Sequence, residues 1–366
     1  MKPLRNEPKL ADQSEKAASQ SWRLTGKLSI DLGAIAHNWR SLDALTAPDC
    51  ETGAVVKANA YGCGIPEVGR ALAKAGCRTF FVATPEEGAT LRAAVPDALI
   101  HILSGYAPGE ATAFKAHDLR PILNAPEQVA DWFDGPKGPA MLQIDSGMNR
   151  LGLEAAELAS LAPLPGQITH VMSHLACADV PGHPQNPAQI AAFDQMTAGM
   201  SVPLSLAATA GILLGEETHH QLTRPGIGLY GGWPYDDARR VVTVEIPVLQ
   251  VRDVAPGESC GYGATWVAKR PSRLATISAG YADGLIRALS TGNATGYIAG
   301  HPVPFAGRVS MDLITLDVTD APETRPGTMV ELLGPNQSID DLAQMAGTIS
   351  HEILTSLGSR YDRVYH

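Results

Sequence analysis

The chain is poor in the features that mark several protein classes. It has five cysteines (Cys50, Cys63, Cys77, Cys177 and Cys260), odd in number, scattered and never in a CxxC pair. That argues against a disulfide framework or a zinc ribbon and fits a reducing cytoplasm. Positive charge is also scarce: 28 Lys and Arg face 38 Asp and Glu, a formal net charge of −10. No broad basic footprint for nucleic acid is present. No uninterrupted apolar run approaches the roughly 18 residues of a membrane span. Residues 1–25 are polar and lack the apolar block of a signal peptide, so they read as a flexible tail. No internal repeat or low-complexity segment stands out.

What is there is a soluble composition, 45% hydrophobic and 18% charged over 366 residues, enough for two domains. Short apolar runs at residues 54–56, 80–83, 99–103, 119–123, 141–144, 168–172, 204–207 and 227–230 alternate with helical stretches such as 66–75, 85–94, 126–133 and 187–200. Several of these stretches open on proline, which suits a first helical turn. Eight strand-then-helix units predict a (β/α)₈ TIM-like barrel over residues 26–240, because parallel strands need helical crossovers. After Gly231 the texture changes. Runs at 241–251, 273–277, 294–299, 313–318 and 329–333 are separated by turn residues, predicting a mostly β C-terminal domain over 241–366. Residues 339–357 return to helical spacing, and 360–366 form a basic, aromatic end.

In such a barrel the reactive groups gather just after the strands. The first strand runs into Val56-Lys57-Ala58-Asn59-Ala60-Tyr61-Gly62, which puts an amine at the barrel mouth, where a desolvated lysine can form an imine. A lysine at a strand end is more often simply solvated, so its neighbours decide. The fifth strand is followed by Asp145-Ser146-Gly147-Met148-Asn149-Arg150-Leu151-Gly152, the sixth by Ser173-His174-Leu175-Ala176-Cys177. His170 and His174 stand four apart like helical metal ligands, but the segment reads as a strand and lacks the HExxH glutamate, so no metal is expected. Arg224-Pro225-Gly226-Ile227-Gly228 opens the eighth run. Gly261-Tyr262-Gly263, Ala279-Gly280-Tyr281 and Ser310-Met311-Asp312 lie in the second region.

Together these segments, in this order from about residue 27 to 365, resemble the alanine racemases, fold-type III enzymes dependent on pyridoxal phosphate. The resemblance implies that Lys57 carries the cofactor as an imine and that Lys57 and Tyr262 are the two catalytic bases. His174 would support Tyr262, and Arg224 would face the pyridine nitrogen, weakening the cofactor as an electron sink. Arg150 would sit near the phenolic oxygen and the substrate carboxylate. Tyr61, Thr209, the backbone of Gly226 and Ile227, and Tyr365 would hold the cofactor. Tyr281, Met311 and Asp312 would meet the amino-acid substrate. A phenol is a base near neutral pH only with help from positive charge or hydrogen bonding, which a chain through His174 to Arg224 would supply. The resemblance also implies a homodimer with shared sites, and D-alanine as a peptidoglycan precursor.

Three positions depart from the family pattern. Gln143 stands where many relatives have a lysine, and would orient Arg150 as a neutral amide. Ala208 replaces a usual asparagine, leaving Thr209 to supply the hydroxyl. Cys63 replaces a common histidine. Such changes open the substrate range toward serine or another small amino acid. A decarboxylase of the same fold type is the rival enzyme reading, though it carries a glutamate toward the pyridine nitrogen where this chain has Arg224. A pyridoxal-phosphate carrier is the non-enzymatic one, though it lacks the second domain.

Overall fold

A computed structural model describes residues 26–366. The expected tail at 1–25 lies outside the described residues. Strands Ala54–Val55, Thr79–Val82, Leu99–Ile102, Leu119–Leu123, Ala140–Gln143, Ile168–Met172 and Leu204–Ser205 form one parallel sheet in chain order. Every residue of Thr79–Val82 and Ala140–Gln143 is buried. Unbroken apolar runs are what a sheet with both faces covered requires.

The ring is closed by Leu222–Thr223, which pairs in parallel with Glu51–Thr52. On the other side Arg224 makes a parallel bridge with Ala208. The eighth strand is therefore not the 227–230 run. Ile227–Tyr230 is a 3₁₀ turn, and the two-residue strand before it does the closing.

Around the barrel the helices turn their apolar rows inward. Leu32–Asp43, capped by Asp31, whose Oδ1 accepts from the Ala34 N–H at 2.8 Å, buries Ile35, Trp39 and Leu42. The Trp39 indole donates to the Thr52 and Gly53 carbonyls, 3.2 Å each, which seats this helix against the closing strands. Ile65–Ala75 buries Val68, Gly69 and Leu72, and Gly69 leaves room for Leu91 of Pro85–Ala94.

The second unit is a mostly antiparallel sheet built on the long strand Val242–Val254, which pairs with Ser272–Ile277 and Met329–Leu333. The strand Lys27–Ile30 also belongs to it, although residues 26–240 were expected to form the barrel. Lys27–Ile30 lies antiparallel to Val242–Val254 on one side and parallel to Asp362–Tyr365 on the other. The basic, aromatic end of the chain is thus an ordered strand. Helices Ile339–Ala346 and Ser350–Ser356 connect this sheet to the barrel mouth. Among the described residues no helix is long and apolar enough to cross a membrane.

Candidate active site

A cavity of about 610 Å³ opens at the carboxyl ends of the barrel strands and is roofed by residues 343–351 of the second unit. Lys57, Tyr61, Arg150, His174, Thr209, Arg224, Gly226 and Ile227 all line it, together with Gln143 and Ala208. The barrel residues named from sequence are therefore brought together.

Lys57 follows the first sheet strand and heads an unusual turn. Ala58, Asn59, Ala60 and Tyr61 have φ of 52°, 54°, 53° and 52°. A left-handed turn of four L-residues costs roughly 1–2 kcal/mol per residue, so surrounding contacts must hold it. The next residue, Gly62, has φ 80°, and a Cβ there would lie 2.4 Å from the Leu354 carbonyl. Arg363 donates to the Gly62 carbonyl. Tyr61 is buried and stacked on Tyr230 with ring centroids 4.4 Å apart. Burial, reinforced by Arg150 and opposed by Glu87, lowers the pKa of the Lys57 ammonium. A larger fraction of the amine is free base near neutral pH than for an exposed lysine.

Arg224 is 3% exposed, and both of its terminal nitrogens are engaged. It donates to Ser205 Oγ at 2.5 Å, to the Ser173 carbonyl at 2.7 Å and to the Leu206 carbonyl at 3.2 Å. Burial lowers its pKa to about 10, so it remains a cation at neutral pH. His174 is pushed down to about 3, first by burial and then by Arg224, Arg150 and Lys57, and is a neutral imidazole at working pH. The Thr209 hydroxyl accepts from the backbone amides of Gly226 at 2.9 Å and Gly228 at 3.3 Å. This gathers a hydroxyl and two amides of the kind a phosphate takes. Gly226 must be glycine, because a Cβ would come 2.5 Å from Tyr61 Oη.

The Arg150 loop is shaped by Asp145, whose Oδ1 accepts from the amides of Gly147 and Met148, both at 2.8 Å. Gln143 donates to the Leu151 carbonyl at 3.1 Å. It holds the loop through the residue after Arg150.

Three differences from expectation stand out. Tyr365 is not among the residues lining the cavity. Its phenol lies against Gly64, where a Cβ would be 2.5 Å from its oxygen, because the last strand runs beside Lys27–Ile30 and not over the barrel mouth. Among the residues the C-terminal helices send to the cavity is His351, which stands beside Tyr61 with ring centroids 5.7 Å apart. No motif flagged it, because its role depends on where its helix docks. Thirdly, Tyr262, Tyr281, Met311 and Asp312 do not reach the cavity of their own chain. Gly261 and Gly263, at φ 73° and 74°, turn Tyr262 outward to 70% exposure. Tyr281 is 42% and Met311 53% exposed. The Tyr281 amide donates to the Ser310 carbonyl at 3.1 Å, and Arg360 bridges Asp283 at 2.6 Å and Asp312 at 2.8 Å. Tyr262, Tyr281 and Met311 are thus exposed large side chains of the second unit, with the Arg360–Asp312 ion pair next to Met311 in sequence.

A barrel with a partly desolvated lysine at its mouth, a buried arginine in the same cavity and an appended β domain is the frame of a barrel enzyme with a reactive amine. The chain belongs to the alanine racemase family: the models of its N-terminal and C-terminal domains match residues 30–234 and 241–365. It is 54% identical over 345 residues to the alanine racemase of Cereibacter sphaeroides, covering 93% of this chain and 98% of that one. To the alanine racemase of Ruegeria sp. it is 52% identical over 345 residues, covering 93% and 99%. Among solved structures, the alanine racemase of Bartonella henselae with covalently bound pyridoxal phosphate superposes with a TM-score of 0.87 at 41% identity, covering 93% of this chain and 99% of that one.

Proposed function

We propose that the protein is a pyridoxal-phosphate-dependent alanine racemase, active as a homodimer in which each cavity is completed by the partner subunit's Tyr262. The observation that carries the dimer is the separation just described. Lys57 lies in the cavity while Tyr262 is 70% exposed on the other unit of the same chain. Tyr262, Tyr281, Met311 and Leu313 of the second unit, each more than 40% exposed, are large side chains that suit burial against a second copy. On the same reading the enzyme is cytoplasmic, in keeping with its free cysteines, and its D-alanine serves as a peptidoglycan precursor.

The residues present fit the cofactor. Lys57 supplies the amine, Thr209 with the amides of Gly226 and Ile227 the phosphate cradle, Tyr61 a phenol beside it, and Arg224 the donor toward the ring nitrogen. When bound, the cofactor withdraws electron density from the substrate Cα and makes its proton removable. Inverting that carbon needs a base on each face. Lys57 Nζ, whose pKa burial lowers, takes or returns the proton on the D side. The partner subunit's Tyr262 does so on the L side. One base gains the proton the other releases, so the net charge of the site is conserved. Arg150 pairs with the substrate carboxylate, and Arg224, cationic beside neutral His174, supplies the positive field that favours a phenolate. The β-domain residues Tyr281, Met311 and Asp312 of the partner subunit bound the space for the side chain.

The test is direct. Purified protein should absorb near about 420 nm, the band of a lysine-bound cofactor, and convert L-alanine to D-alanine on chiral chromatography. L-serine and L-lysine run alongside rank the substrates. Conversion that survives in Lys57→Ala would refute the assignment of Lys57. A cofactor band without any change of chirality would favour the decarboxylase or carrier readings.

A further inference from the structure

The left-handed turn that begins at Ala58 is held from outside by one carboxylate. Glu87 is the third residue of Pro85–Ala94, and its own amide donates to the N-cap hydroxyl of Thr84 at 3.5 Å. A glutamate at this position ordinarily folds back onto the N-cap amide. Here it reaches past the cap. Glu87 Oε2 accepts from the Ala83 N–H at 2.8 Å, and Oε1 accepts from the Asn59 N–H at 3.0 Å. Asn59 in turn accepts the Ile65 N–H on its own side-chain oxygen at 3.1 Å, tying the turn to the next helix. One half-buried carboxylate therefore joins the end of Thr79–Val82 to the residue two after Lys57.

We propose that Glu87 is a positioning residue for Lys57, locking the left-handed turn that aims the amine into the cavity. The inference rests on the racemase reading above. Its charge adds a second effect, since Glu87 is the group that opposes burial and Arg150 in setting the proton affinity of Lys57. The other titratable groups acting on this amine's surroundings are His174 and His351, both shifted toward the neutral form by burial.

Glu87→Gln keeps the length but offers one acceptor oxygen to two amides and removes the charge. Glu87→Asp keeps the charge but is a methylene too short to span both amides. The first readout needs no turnover. It is the pH dependence of the rate at which apoprotein captures pyridoxal phosphate at Lys57, followed by the absorbance of the bound cofactor. The capture midpoint should move to lower pH in Glu87→Gln and stay near wild type in Glu87→Asp. In both, kcat for alanine should fall about ten- to hundredfold, as expected when a reacting group is misaimed, with KM changed less. Variants that lower Tm but leave both the midpoint and kcat per folded molecule at wild-type values would reduce Glu87 to a packing residue and overturn the proposal. Wild-type protein that captures the cofactor at Lys57 yet racemises nothing would refute the functional reading instead, and the capture midpoints would still decide the role of Glu87.

Discussion

Lys57 and Tyr262 carry opposite halves of one proton exchange, and a racemase hides which half each performs. The two enantiomers are equal in free energy, so kcat/KM must fall alike in both directions whichever base is lost. Exchange of the α-hydrogen with solvent removes the degeneracy. In deuterated water Tyr262→Phe should still exchange the α-hydrogen of D-alanine through Lys57 while exchange from L-alanine falls by about 10²–10⁴. Equal exchange from both enantiomers would sink the assignment. Lys57, Arg150, His174 and Arg224 were readable because each sits in a contiguous motif at the end of a strand. Glu87 and His351 were not, because one acts through two amides across a loop and the other through the docking of a helix nearly 300 residues downstream of Lys57. Tyr365 was expected at the cofactor; the strand order sets its phenol beside Gly64, and it is not among the residues lining the cavity.

At the level of elements, the phosphate cradle depends on a close approach between two segments. A methyl group at Gly226 would lie 2.5 Å from Tyr61 Oη. Gly226→Ala should raise the apparent Kd for pyridoxal phosphate at least about tenfold, measured by titration of apoprotein, since relieving the clash must tilt Tyr61 or the cradle. Unchanged affinity would show that Tyr61 moves freely, against its stacking on Tyr230. The turn after Lys57 makes a different prediction. Ala58 is exposed with φ 52°, so Ala58→Gly should stabilise the fold by about 1 kcal/mol in denaturant unfolding. A loss of stability would mean that the turn is not strained. Seven sheet strands were legible as apolar runs. The eighth was assigned to residues 227–230 because that run is more apolar than Leu222–Thr223, yet Gly226 and Gly228 break it into a 3₁₀ turn. Leu222–Thr223 lies between Gln221 and Arg224, in no apolar run of its own, and so leaves no pattern to read.

The whole molecule can be tested by complementation. Lys57→Ala and Tyr262→Phe chains, each inactive, should regain about a quarter of wild-type activity when mixed and allowed to exchange, because half the dimers are mixed and each carries one intact site. No recovery despite subunit exchange would place both bases in one chain. Acid stability is also a property of the assembled barrel. His101, His170 and His174 are lowered to about 3, 4 and 3 chiefly by burial. Each is protonated in the unfolded chain below about pH 6.5 but stays neutral when folded. Their joint penalty therefore grows as pH falls from about 6.5 toward 4, and Tm should drop across that window by calorimetry. A flat Tm there would mean that these rings are wetter than their burial implies.

The strand Lys27–Ile30 is made more than 300 residues before its parallel neighbour Asp362–Tyr365. Between them the barrel strands are made in spatial order, each finding the previous one already waiting. The outer sheet has no such luck. Its first strand waits for Val242–Val254, more than 200 residues on, and gains its other neighbour only with Asp362–Tyr365, contacts of high sequence separation that close slowly. The clasp between Lys27–Ile30 and Asp362–Tyr365 thus spans more of the sequence than any pairing within the barrel. A chain truncated after Tyr361 should accordingly keep Lys27–Ile30 paired with Val242–Val254 but, with its other edge open, be clipped there by protease faster than the full chain.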